Sequence, residues 1–189
     1  MSKTYKKPNP FSQVVHALKG TGHFGEYLTE YALEHGGIEG RYAIYHNVLV
    51  PRSSGPTKTS EIDVLMLHET GVYVFESKNY DGWIFGNEEQ QKWTVSYKGG
   101  HKEHFYSPIK QNRAHVRALA AHLGVPEEAF RSYIVFSERC ELKAVPQDCE
   151  EYTVCKRPDL IDRLWADLAS RGAEQLLDEG LFEELRERV

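Results

Sequence analysis

The sequence predicts an α/β domain of three layers, a central mixed sheet flanked by helices. Three observations carry this. Residues 61–80 read as two apolar strands joined by the polar turn His68-Glu69-Thr70-Gly71, rich in β-branched and aromatic residues. Leu65, Leu67, Val72 and Val74 fall on one face of that hairpin, and Ile62, Val64, Met66, Tyr73 and Phe75 on the other. Both faces are apolar, so both must be covered. Helical periodicity appears before and after the hairpin, which supplies the covering layers.

The other elements follow in order. Residues 1–10 read as a flexible lysine-rich arm, and 11–189 as one domain. A short helix over 12–18 is broken by Gly20-Thr21-Gly22. A stronger helix spans about 23–35, with Phe24, Tyr27, Leu28 and Tyr31 on one stripe and Gly36-Gly37 at its end. Residues 42–50 alternate weakly as a strand, and 51–59 form a loop rich in Pro, Ser, Gly and Thr. After the hairpin, Asp81-Gly82 turns the chain into Trp83-Ile84-Phe85-Gly86, and a strand over 92–97 ends at Gly99-Gly100. Ser107 and Pro108 suit an N-cap and first helical position for a helix over 108–123, with Ile109, Val116, Leu119 and Leu123 buried. Strands are expected over 133–136 and 152–155. An amphipathic helix follows over 159–169, and one or two more over 173–188.

Composition narrows the function classes. At 189 residues the chain is long enough for a full core. It has no apolar run of membrane-spanning length and no apolar segment behind its basic N-terminus, so neither a span nor a secretory signal is expected. Its three cysteines lack CxxC spacing, which argues against a zinc site or disulfide framework and for a reducing, cytoplasmic setting. Acids outnumber bases 28 to 23. A protein that merely coats DNA would carry the opposite balance, whereas a nuclease needs only a local basic patch beside acidic metal ligands.

The candidate site lies at the open end of the hairpin. A register pairing Leu67 with Val72 sets Asp63 opposite Glu76 and Glu61 opposite Lys78. Facing carboxylates repel unless a cation or proton lies between them, so this reads as a divalent metal site. The same residues also read as polar strand ends, with Glu61 and Lys78 as a simple ion pair, and a one-residue slip would separate the acids. Taken alone, Glu26 is a solvated helix carboxylate. Lys110, Arg113 and Arg117 line one flank of the 108–123 helix, either as a solvated face or as phosphate contacts. Gln111, His115 and His122 line the other.

Together these motifs resemble the NERD family, the nuclease-related domain, within the PD-(D/E)xK nuclease fold. The matching residues are Gly25-Glu26, Glu61-Ile62-Asp63, Gly71 through Tyr80 with its Glu76-Ser77-Lys78, Gly82-Trp83-Ile84-Phe85-Gly86, Trp93, and Ser107-Pro108-Ile109-Lys110-Gln111-Asn112. They span about residues 22–123, leaving 124–189 to C-terminal strands and helices. The family often has Gln where Glu61 stands and Thr where Ser77 stands. Some related nucleases carry Gln-x-x-x-Tyr, whereas here His115 follows Gln111 by four residues.

The resemblance implies a restriction-endonuclease-like sandwich and a Mg²⁺- or Mn²⁺-dependent nuclease that processes nucleic acid, DNA more than RNA. It implies Asp63 and Glu76 as metal ligands with the Ser77 carbonyl. Lys78 would act on water or phosphate, and Glu26 and Gln111 would enter from flanking helices. The other reading is a nuclease-fold domain that binds nucleic acid, or a partner in a DNA-processing assembly, without cutting.

Overall fold

The computed structural model describes residues 24–51, 59–172 and 176–189. The expected N-terminal arm, the helix over 12–18 and most of the 51–59 loop lie outside them. Strands β1 (Tyr42–Pro51), β2 (Thr59–His68) and β3 (Gly71–Lys78) form an antiparallel meander, and β7 (Phe130–Phe136) and β9 (Tyr152–Lys156) extend it in parallel. The resulting mixed sheet has the order β1-β2-β3-β7-β9, with β3 at its centre.

Helix α1 (Phe24–Glu34) and helix α3 (Leu160–Arg171) cover one face, placing Leu33, Leu160 and Leu164 against Val64, Met66, Tyr73 and Phe75. Helices α2 (Pro108–Leu123) and α4 (Glu179–Arg188) cover the other, placing Val116, Leu119, Phe182 and Leu185 against Leu65, Leu67, Val72 and Val74. The three layers are those the apolar hairpin requires.

Helix α2 begins as its sequence prescribes. The Ser107 hydroxyl accepts from the Lys110 N–H, Pro108 occupies the first turn, and Gly124 closes the helix with φ 71°. The hairpin register also matches: Leu67 pairs with Val72 and Leu65 with Val74, across a tight turn at Glu69-Thr70.

Two features depart from expectation. Strands β4 (Trp83–Phe85), β5 (Lys92–Ser96), β6 (Lys102–Tyr106) and β8 (Glu141–Ala144) form a second sheet in the order β6-β5-β4-β8. The sequence gives no strand pattern for β6 or β8 because their side chains are mostly exposed and polar. Ile62 packs with Leu65 and Leu67 rather than with Val64 and Met66. Pairing of β1 with β2 skips Asn47, whose φ is 53°, a left-handed conformation that Asn tolerates. The irregularity lies opposite Asp63, and the side-chain alternation of β2 breaks there.

Candidate active site

The site forms at the carboxyl end of β3, where α1 and α2 converge on it from opposite faces. The β2–β3 ladder ends at Val64 and Phe75, one pair short of Asp63 and Glu76. Glu76, Ser77 and Lys78 remain paired with β7 on their other side. The edge of β3 that faces β2 is therefore open, and the Ser77 N–H donates to Asp63 Oδ2 at 2.7 Å. Within an extended strand a residue's N–H and C=O point to the same edge, so the Ser77 carbonyl faces Asp63 as well.

Glu76 and Lys78 project toward α2. Glu76 is 1% exposed, and its Oε1 accepts from Lys78 Nζ at 2.5 Å. Lys78 Nζ also donates to Gln111 Oε1 at 3.2 Å, which ties the strand to the first turn of α2. Among the described residues Glu76 Oε2 has no hydrogen-bond partner, and buried His115 places its Nδ1 3.7 Å away. Asn112 fixes the helix here by donating through Nδ2 to the Val74 carbonyl (2.9 Å) and to Ser132 Oγ (2.8 Å).

Helix α1 reaches the site through Gly25. A Cβ at this position would lie 2.8 Å from Asn79 Cβ, so only glycine lets the first turn of the helix rest on the end of β3. Thr29 then shares a 3.0 Å hydrogen bond with Ser77 Oγ. This seating brings Glu26 close enough for its charge to act on both Asp63 and Glu76.

The electrostatics are those of charge held under stress. Burial pushes the Asp63 carboxyl up to about 6; the Ser77 N–H opposes this, Glu26 and Glu61 add to it, and Lys78 draws it back. Burial pushes Glu76 up to about 7 against the pull of Lys78, with Asp63 and Glu26 reinforcing the rise. A buried carboxylate oxygen lacking a partner, amid mutually repelling acids, is an arrangement a cation relieves. The donors facing one another are carboxylates and a backbone carbonyl, an all-oxygen set that suits a hard divalent ion. Among the described residues no three His, Cys, Asp or Glu side chains are arranged to hold a metal ion by themselves.

The expected residues Glu26, Asp63, Glu76, Ser77, Lys78 and Gln111 thus gather at one place. Glu61 does not join as expected. It is exposed and lies opposite Leu49 on β1, and Lys78 engages Glu76 and Gln111 instead. The early end of the β2–β3 ladder is the cause.

The three basic residues of α2 separate. Arg117 lines a groove of about 880 Å³ together with Glu61, Tyr106, Gln111, His115 and His122. Arg113 forms a two-pronged ion pair with Glu151 in a separate cavity, and Lys110 Nζ donates to the Glu89 carbonyl at 2.6 Å. In the sequence Asn112 stands within the matching motif without a role of its own, and His115 falls on a flank of the helix. Asn112 and His115 stand three positions apart and Gln111 and His115 four, and that helical spacing is the available signal.

The nuclease-related domain model matches residues 21–137, more than half the chain. An uncharacterised protein of Bacillus anthracis is 35% identical over 153 residues, covering 80% of this chain and 70% of that one. A crystal structure of a protein of unknown function, AF1548, aligns at 15% identity and a TM-score of 0.39, over 80% of this chain and 64% of that one. The chain belongs to the nuclease-related domain family, NERD.

Proposed function

We propose that this protein is a divalent-metal-dependent nuclease that hydrolyses phosphodiester bonds, with DNA as its main substrate. The observation that carries this reading is the Lys78 bridge. One ammonium joins Glu76 Oε1 to Gln111 Oε1, while Glu76 Oε2 lies buried without a hydrogen bond among the described residues, and the next residue, Ser77, donates its N–H to Asp63.

Asp63, Glu76 and the Ser77 carbonyl would hold Mg²⁺ or Mn²⁺, with water completing the shell. Such an ion, when bound, lowers the pKa of water and offsets charge on the phosphate. The chain's own groups do the rest. Glu26 draws water towards the acids from α1. Lys78, released from part of its bond to Glu76, faces the phosphate oxygen on which charge develops. Gln111 keeps the lysine aimed. Of the three basic residues of α2, Arg117 meets backbone phosphate along the groove, while Lys110 and Arg113 are held outside it by Glu89 and Glu151.

The test is a cleavage panel of single-stranded DNA, duplex DNA and RNA, with Mg²⁺ or with chelator, for the wild type and for Asp63→Ala and Lys78→Ala. Metal-dependent cleavage by the wild type alone is expected. No cleavage of any substrate by the wild type defeats the enzyme reading, and activity in both variants defeats the site assignment.

One observation favours a second reading, nucleic-acid or partner binding without cleavage. The Lys78 ammonium already neutralises Glu76, so the acids are partly compensated by the chain itself. A rise in melting temperature with Mg²⁺ or Mn²⁺ separates the two, because only a metal site gains stability from the ion.

A further inference from the structure

We propose that the groove along α2 takes a single strand of DNA, with Tyr106 stacking on an unpaired base beside the Lys78 site, and that this aromatic selects unpaired over duplex DNA. The inference rests on the nucleic-acid reading of that site and names the form of the strand it takes.

The groove adjoins the site directly, because Gln111, which accepts from Lys78 Nζ, lines it together with Tyr106 and Arg117. Along α2 it is lined by Ala114, Ala118 and Ala121, small residues on the stripe shared by Gln111 and His122. Gln111 and His122 are separated by about 16 Å of helix, which is room for more than one nucleotide. The two sides differ in charge: Arg117 stands on the helix and Glu61 on β2. A phosphodiester backbone is drawn to the first and turned away by the second, so it runs along the helix side. Arg117 Nε is 4.0 Å from Glu127 Oε2, a pair so open to solvent that phosphate can replace the carboxylate.

Tyr106 supplies the aromatic face. Phe105 packs against Trp93 and Phe136, so strand alternation turns Tyr106 outward, with 50% of its surface exposed. Its backbone is fixed. Tyr106 pairs with Lys92 on β5, and the next residue, buried Ser107, donates its N–H to the Gln91 carbonyl and caps α2. The ring is thereby held in a set relation to Gln111 in the first turn of the helix. An exposed tyrosine on a fixed backbone loses little entropy on binding, and its π-face accepts any base. In a duplex each base face is taken up by its neighbours, so only a splayed, unpaired base reaches the ring.

The test measures binding of the full chain to a fluorescently labelled oligonucleotide by anisotropy, in chelator, so that no cleavage intervenes. Single-stranded DNA and a duplex of the same sequence are compared for the wild type, Tyr106→Ala and Tyr106→Phe. Tyr106→Ala should weaken single-strand binding about fivefold or more and leave duplex binding within about twofold. Tyr106→Phe, which keeps the ring, should stay within about twofold of the wild type on both. An equal loss on both forms, no loss, or a Phe variant as weak as Ala would overturn the proposal. Abasic sites placed one at a time along the single strand give an answer on the wild type alone. One position should weaken binding by a factor like that of Tyr106→Ala, and indifference to every position overturns the proposal, as does a wild type that binds neither form. Tyr106-dependent binding without cleavage in Mg²⁺ would end the nuclease reading and keep this inference. Cleavage in Mg²⁺ by a wild type whose single-strand affinity is matched by Tyr106→Ala would end this inference alone.

Discussion

Replacing Asp63 by Asn should make the metal-free protein more stable while removing its response to metal. The Asp63 carboxyl is raised from 3.8 to about 6, chiefly by burial. At about 1.4 kcal/mol per pH unit, holding it ionised costs the folded state roughly 2–3 kcal/mol. Asparagine keeps an oxygen for the Ser77 N–H and carries no charge. A gain of that size corresponds to roughly 5–10 °C in melting temperature for a domain of this length.

The pH dependence has a definite sign. A carboxyl whose folded pKa lies above its unfolded value contributes its full stability below the unfolded pKa and loses it as pH rises through the folded one. The wild type should therefore weaken between about pH 4 and pH 7, and the advantage of Asp63→Asn should grow over the same interval and vanish near its acid end. Thermal unfolding in chelator from pH 4 to pH 8 measures both curves. Repeating the series with Mg²⁺ should stabilise the wild type and leave the variant unchanged. A variant less stable than wild type at pH 8 in chelator, or a difference that does not vary with pH, would refute the claim that Asp63 is strained by burial and like charge.

Three further outcomes are expected. Gly25→Ala should push α1 off the end of β3 through the 2.8 Å approach to Asn79, costing about 1–3 kcal/mol in denaturant unfolding and lowering cleavage by displacing Glu26. Asn112→Ala should cost roughly 2–3 kcal/mol, because it deletes a buried amide bonded to two elements; an unchanged denaturation midpoint would show that the helix is held by apolar contacts alone. Gln111→Ala should leave the fold within about 1 kcal/mol and, under the proposed nuclease function, lower kcat more than KM, because it removes the hydrogen bond that holds Lys78.

Much of this architecture is written in local pattern, and the remainder depends on distant partners. The hairpin register follows from the spacing of Leu65, Leu67, Val72 and Val74 about a short turn, and α2 follows from Ser107 and Pro108. The acids at the site carry a motif at fixed intervals, so they too could be picked out. What the pattern could not supply was the point at which the β2–β3 ladder stops. That depends on the Asp63 carboxylate reaching the Ser77 amide, a contact across fourteen positions. The face taken by Ile62 was hidden for a related reason, since the break in alternation accompanies the left-handed Asn47 on a neighbouring strand. Strands β6 and β8 are not legible in the sequence because exposed polar edges carry no alternating signal.

Asn112 has a consequence for how this member of the nuclease-related domain family can change. Apolar side chains let a helix slide along a sheet with small penalties, and a shift of one residue is about 1.5 Å. A buried amide that donates to the Val74 carbonyl and to Ser132 Oγ allows one seat. Gln111 and His115 ride on the same turn, so their reach toward Lys78 and Glu76 is set in steps rather than tuned continuously. Substitutions elsewhere along α2 can alter the groove without moving the chemistry, while any that unseat Asn112 change fold and site together.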